Sequence, residues 1–139
     1  MGIQKKFAEY IQAFEESYED DDWSRLTKYF TPAAVYLTGD GQKVSGRANI
    51  IFYLKESVEN FDRQFNLRVP VFDDLIQTDN IMSTTWTFTY KMKDAPDLVT
   101  SGIEIAEFED HTICQLRSNF DEGVMERSQE WFKEHGKKA

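Results

Sequence analysis

The chain has 139 residues, 40% of them apolar and 14% aromatic, with a formal net charge of −9. That length and apolar content suit one domain with a packed core and exclude a disordered chain. The acidic balance argues against nucleic acid, whose phosphates need clustered Lys and Arg, and a single cysteine, Cys114, excludes an intrachain disulfide or a cysteine-based metal cluster.

No apolar run is long enough to cross a membrane, and the opening MGIQKKFAEY lacks the apolar stretch of a secretory signal. The expectation is a soluble, cytoplasmic protein with no membrane contact.

Helical signals fill the first 62 residues. Ile3, Phe7, Tyr10, Ile11, Phe14 and Tyr18 recur at helical spacing and give a first helix one apolar stripe. The acidic run EDDD (19–22) ends it, and Asp22 is placed to cap a second helix over 23–30, striped by Trp23, Leu26 and Phe30 and stopped at Pro32. AAVYLTG (33–39) reads as a strand before a Gly-Asp-Gly turn. SGRANIIFYLKESVENF (45–61) reads as a third helix, with Ser45 as a cap and Ile50, Leu54, Val58 and Phe61 along one side.

The period then changes from about 3.6 to 2. QFNLRVPVFDDL (64–75) reads as a strand broken or bulged near Pro70. MSTTWTFTYKMK (82–93) alternates most clearly, with Met82, Thr84, Trp86, Phe88, Tyr90 and Met92 on one face and Ser, Thr and Lys on the other. LVTSGIEIAEF and TICQLRSNF form a hairpin, and EGVMERSQEWFKEH supplies a last helix with Val124, Ser128 and Trp131 or Phe132 inward. Helices segregated from antiparallel strands define an α+β domain whose sheet curls around the first helix.

The hairpin sets the chemistry, because a slip of one residue exchanges the faces of a strand. A two-residue turn at Asp110 and His111 puts Glu104 opposite Arg117, a plain cross-strand ion pair. A three-residue loop over 109–111 puts it opposite Leu116, on a face with Gly102, Ala106, Cys114, Ser118 and Phe120. The three-residue loop is favoured: it asks for one left-handed residue, which His111 can supply, whereas Asp-His suits a two-residue turn poorly. His111 is then a turn residue, neither ligand nor base.

FAEYIQAFEES, DDWSRLTKYFTPAAVYL, VSGRANIIFYL and SGIEIAEFEDHTICQLRSNFD, in this order, resemble the SnoaL-like members of the nuclear-transport-factor-2-like superfamily, over residues 5 to 121. The resemblance implies a cone: a curved antiparallel sheet wrapped around the N-terminal helices, with an apolar pocket inside and residues 122–136 as a helical extension. It also implies a homodimer through the outer sheet face, where Ile103, Ile105 and Ile113 would point.

The fold hosts isomerases, cyclases, hydrolases, dehydratases and non-enzymes, so function must be read residue by residue. Ketosteroid-isomerase-like members need a base where this chain has Leu37, and tyrosines near Phe14 and Leu54, where Tyr10 and Tyr53 are neighbours. Only their protonated acid has a counterpart, Glu104, which makes that activity unlike this chain. Cyclase-like members carry an acid/base aspartate near the end of the last strand, where Asp121 lies; an N-cap role for Asp121 is the competing reading. Gly102 stands where an epoxide-hydrolase-like arginine would be.

The implied pocket is lined by Tyr10, Phe14, Leu37, Tyr53, Leu54, Trp86, Phe88, Leu116 and Phe120, with Glu104 and Asp121 as the candidate catalytic acids. Its occupant is a small apolar molecule. No metal-ligand spacing or phosphate loop is present, so no cofactor is expected. Three functions stay open: binding without chemistry, acid/base catalysis on a carbonyl or polyketide-like compound, and protein interaction through the sheet.

Overall fold

A computed structural model describes residues 2–136. Its first helix, α1 (Ile3–Asp20), buries Ile3, Phe7, Tyr10, Ala13 and Ser17, a stripe with steps of three and four residues. The helix stops at Asp21, which takes the left-handed conformation at φ 61° and returns its N–H to the Ser17 carbonyl. Asp21 also accepts a hydrogen bond from Trp23 Nε1 at 2.7 Å.

Asp22 caps the next segment as expected, accepting from the Ser24 N–H at 3.2 Å. That segment, Trp23–Tyr29, is a 3-10 helix rather than an α-helix. Its three-residue turn aligns Trp23, Leu26 and Tyr29, all buried, which a 3.6-residue turn would splay. The helix expected over 45–61 is α2 (Arg47–Asn60), opened by Gly46 at φ 95° instead of by Ser45.

Seven strands form one curved sheet. They are β1 (Phe30–Leu37), β2 (Lys43–Ser45), β3 (Leu67–Phe72), β4 (Ile76–Thr78), β5 (Ile81–Lys91), β6 (Leu98–Glu109) and β7 (Thr112–Phe120). The order is β2-β1-β7-β6-β5-β3, with β4 also on β5. The sheet is antiparallel except where β1 joins β7 in parallel, a joint the meander reading did not contain. The strand with Pro70 survives as β3 because it lies at the sheet edge, where one ladder of donors is not needed.

The concave face packs on α1, α2 and the 3-10 segment, with Phe7, Leu26, Phe30, Ile50, Met82, Ile113 and Leu116 at its centre. Helix α3 (Val124–His135) covers a second aromatic cluster of Phe65, Tyr90, Leu98 and Trp131. Trp131 Nε1 donates to the Pro96 carbonyl at 2.8 Å, so the indole is anchored at both its apolar and its polar end.

The β6–β7 hairpin corrects the expected loop. Glu109 pairs with Thr112, so Asp110 and His111 make a two-residue turn, with Asp110 rather than His111 at positive φ (57°). The ladder then shifts by one residue between Glu107 and Phe108, leaving Cys114 as the extra residue of a bulge. Past the bulge, Glu104 faces Ser118 and Ala106 faces Leu116. The concave placement of Glu104 is therefore as expected, reached by a different route. The same bulge turns Ile113 inward, where it is fully buried, instead of outward with Ile103 and Ile105.

Candidate functional site

A partly open cavity of about 830 Å³ lies between the concave sheet face, α1, α2 and α3. Its aromatic walls follow from the alternation of β5, which turns Trp86, Phe88 and Tyr90 to one face. Trp86 stacks on Phe88 with ring centroids 4.7 Å apart, and Phe120 meets Trp86 edge-on at 5.7 Å. Trp86 lies directly across from Gly102, and a Cβ there would fall 2.8 Å from the indole and 2.2 Å from the Asn119 carbonyl oxygen. The glycine therefore makes room for the ring and lets β6 and β7 close; no arginine could stand there.

At one end lies Glu104. Ser118 Oγ is 3.0 Å from each carboxyl oxygen, and Tyr36 Oη is 2.8 Å from that Oγ. By surface area the Glu104 side chain is only half-buried, because it borders the cavity, yet protein encloses the carboxyl together with that cavity. The enclosure governs its acidity. Burial pushes the Glu104 pKa from the ordinary 4.5 up to about 8, against the opposing pull of the Ser118 hydrogen bond. Burial also raises the neighbouring phenols Tyr10 and Tyr36, and a charge on Glu104 would raise them further. Near neutral pH this end is a group of uncharged donors.

At the other end Arg68, on β3, is almost wholly enclosed. Nη1 and Nη2 reach the two Glu15 oxygens at 2.6 and 3.2 Å. Nε sits 2.8 Å from Asp62 Oδ2 as an ion pair, off the line of its N–H, so it is not an aligned hydrogen bond. The guanidinium also lies 4.6 Å from the Phe88 ring centroid and 4.9 Å from that of Tyr18. Burial alone would lower the Arg68 pKa, but Glu15 and Asp62 more than reverse that. Asp62 is raised by its own burial, with Arg68 and Tyr90 opposing.

Of the expected lining, Tyr10, Phe14, Tyr53, Leu54, Trp86, Phe88 and Phe120 border the cavity together with Glu104. Leu37 does not: Tyr36 takes the concave side of β1, and its neighbour Leu37 faces away. Leu116 is sealed in the core beside Ala106. Asp121 is exposed and outside the lining, and it does not cap α3, whose N-cap is Gly123.

The sequence reading missed Arg68, Asp62 and Glu15. It also missed Asp40, on the rim in the turn after β1, whose pKa is lowered by hydrogen bonds from Thr38 and Gln42. Among the described residues, no group of three or more His, Cys, Asp and Glu side chains is placed to hold a metal ion. No helix among them is long and apolar enough to cross a membrane.

Residues 9–116 match the model of the SnoaL-like domain, and the chain belongs to that family. A search of curated proteins found no match. Many solved structures share the fold. An NTF2-like protein of unknown function from Exiguobacterium is 20% identical, with a TM-score of 0.65 over 84% of this chain and 98% of its own. A putative SnoaL-like polyketide cyclase from Jannaschia is 14% identical, with a TM-score of 0.65 over 86% and 88%. TerC, co-crystallized with polyporic acid, is 14% identical, with a TM-score of 0.67 over 92% and 98%. At these identities the likeness concerns the fold.

Proposed function

We propose that this SnoaL-like domain binds a small, flat, apolar carbonyl compound, whose carbonyl oxygen accepts a hydrogen bond from the neutral Glu104 carboxyl. The observation that carries this reading is a carboxyl group with a pKa of about 8 on the wall of a cavity lined mainly by aromatic rings. A carboxylic acid kept neutral by an apolar site is a hydrogen-bond donor, and its natural complement is a carbonyl. Cavities of this size enclose most of a drug-sized ligand. The co-crystallization of TerC with a small organic acid and the cyclase name of the Jannaschia protein agree with a small-molecule role.

The test is the pH dependence of binding, with acetylbiphenyl as the probe and tryptophan fluorescence as the readout. Affinity holds below pH 8 and falls about tenfold per unit above it, as the competent fraction falls. In Glu104→Gln, which keeps a donor but does not titrate, the profile is flat. A wild-type affinity that ignores pH overturns the reading.

A second reading, acid/base catalysis, is favoured by one observation: the same cavity holds a carboxyl pushed up, Glu104, and a carboxylate held down, Asp40. Environments that separate two acids in this way assign donor and base. Loss of turnover in both Glu104→Gln and Asp40→Asn, with binding kept, is its signature.

We further propose a homodimer through the convex sheet face, where Val69, Val71, Ile76 and Val99 are exposed. Sedimentation of wild type against Val71→Lys tests it, with a shift to monomer in the variant.

A further inference from the structure

The geometry points to a two-ended ligand: a flat body with its carbonyl at Glu104 and, at the far end, a hydroxyl or amine that donates to Asp62 Oδ1. The first end rests on the reading above; the second stands on separate observations.

Tyr90 Oη donates to Asp62 Oδ2 at 3.1 Å, and Arg68 Nε lies against the same oxygen at 2.8 Å. Both contacts fall on Oδ2 and leave Oδ1 without a partner among the described residues. The sealed, unpartnered side-chain atoms among those residues are Arg68 Nε and Trp86 Nε1. Oδ1 therefore keeps accessible surface, on a residue that borders the cavity.

A carboxylate oxygen accepts and does not donate, so the ligand group that satisfies it must carry a proton. Leaving such a buried acceptor unpaired is costly, which makes it a discriminating contact. An anionic group is excluded at this end. Arg68 is the only basic residue in the lining among the described residues, and Glu15 and Asp62 already engage it. The remaining charged lining residues, Asp40 and Glu56, are acidic.

The length follows from the sheet. Glu104 is level with Thr84 and Arg68 with Tyr90. Six residues of strand span about 20 Å, and Glu104 and Arg68 both border the cavity between. Phe14, Trp86 and Phe88 flank the space between, so the body is flat and aromatic, on the scale of two linked rings.

The test compares three probes by calorimetry on the full chain: acetylbiphenyl, and its derivatives with a hydroxyl or a methoxy group on the far para position. The hydroxyl probe should bind about tenfold tighter than the methoxy probe, which accepts but cannot donate. The preference should vanish in Asp62→Ala, read as the ratio of hydroxyl to methoxy affinity within that variant. Equal binding of the hydroxyl and methoxy probes to wild type overturns the second end alone, provided acetylbiphenyl keeps its Glu104-dependent pH profile. Loss of that profile overturns the first end and the two-ended ligand with it. If Asp62→Ala does not fold, the hydroxyl-to-methoxy ratio on wild type decides by itself.

Discussion

Ser118 Oγ sits 3.0 Å from both carboxyl oxygens of Glu104 and passes its own second contact to Tyr36 Oη at 2.8 Å. The serine is the group that holds the Glu104 pKa down against burial. Ser118→Ala should therefore move the Glu104 titration above about 8, followed by carboxyl-carbon NMR. A shift downward would mean that burial is not what controls this acid.

Glu104 also sets a pH dependence of stability. Its folded pKa, about 8, lies above the ordinary 4.5, so the folded state favours the protonated form. The contribution is complete below pH 4.5, declines as pH rises toward 8, and is gone above it. At about 1.4 kcal/mol per unit the full shift overstates the effect, because water in the cavity solvates the ion. A loss on the order of 2–3 kcal/mol across that window remains after this discount. Urea unfolding at both ends of the window should show the decline in wild type and a flatter curve in Glu104→Gln.

Replacing Arg68 by Met keeps the volume and removes the charge. Glu15 and Asp62 then face each other without a cation, and a broken buried pair costs about 3–5 kcal/mol. Guanidinium denaturation near pH 7 should register that loss, and it should shrink at acid pH as the carboxyls protonate. A variant within about 1 kcal/mol of wild type would mean the triad is solvated.

Gly102 and Gly39 make a matched pair. A Cβ at Gly102 meets the Asn119 backbone at 2.2 Å, which cannot swing away. At Gly39 it meets the Phe120 ring at 2.5 Å, the far end of a partly exposed side chain. Gly102→Ala should cost about 1–3 kcal/mol or more by overpacking. Gly39→Ala should leave the melting temperature nearly unchanged but alter probe affinity, because Phe120 borders the cavity.

Much of this was legible in the sequence because one period dominates each element. The alternation from Met82 to Tyr90 sent the right side chains inward, and the stripe of α1 holds for Ile3, Phe7 and Tyr10, whereas Ala13 and Ser17 are buried and Ile11, Phe14 and Tyr18 are only partly so. The triplets of β2 and β4 are too short to show a period. The Cys114 bulge follows from pairing, which no local preference reveals. Arg68 was not legible: in LRVPVF, Leu67, Val69 and Val71 share a face that alternation alone would turn inward, yet they are exposed and the polar residue is the one turned in. The greasy side of that strand looks outward, the reverse of the usual expectation. Asp40 sits in a turn, where side-chain direction depends on backbone angles rather than on a period.

The unpaired Cys114 has a reach beyond its own strand. Were it paired in the ladder instead of bulged out, the two-residue turn at Asp110 and His111 would bring Arg117 beside Glu104 in place of Ser118. A guanidinium there would draw off the proton and leave an ordinary carboxylate in a salt bridge. Four residues separate the irregularity from the serine it delivers, so the acidity of the cavity wall is decided by a counting error in a neighbouring hairpin. Deleting Cys114 would only make the ladder regular and keep Ser118 opposite Glu104; drawing Cys114 into the pairing is what would exchange a hydrogen-bond donor for an ion pair, with the cone around it left standing.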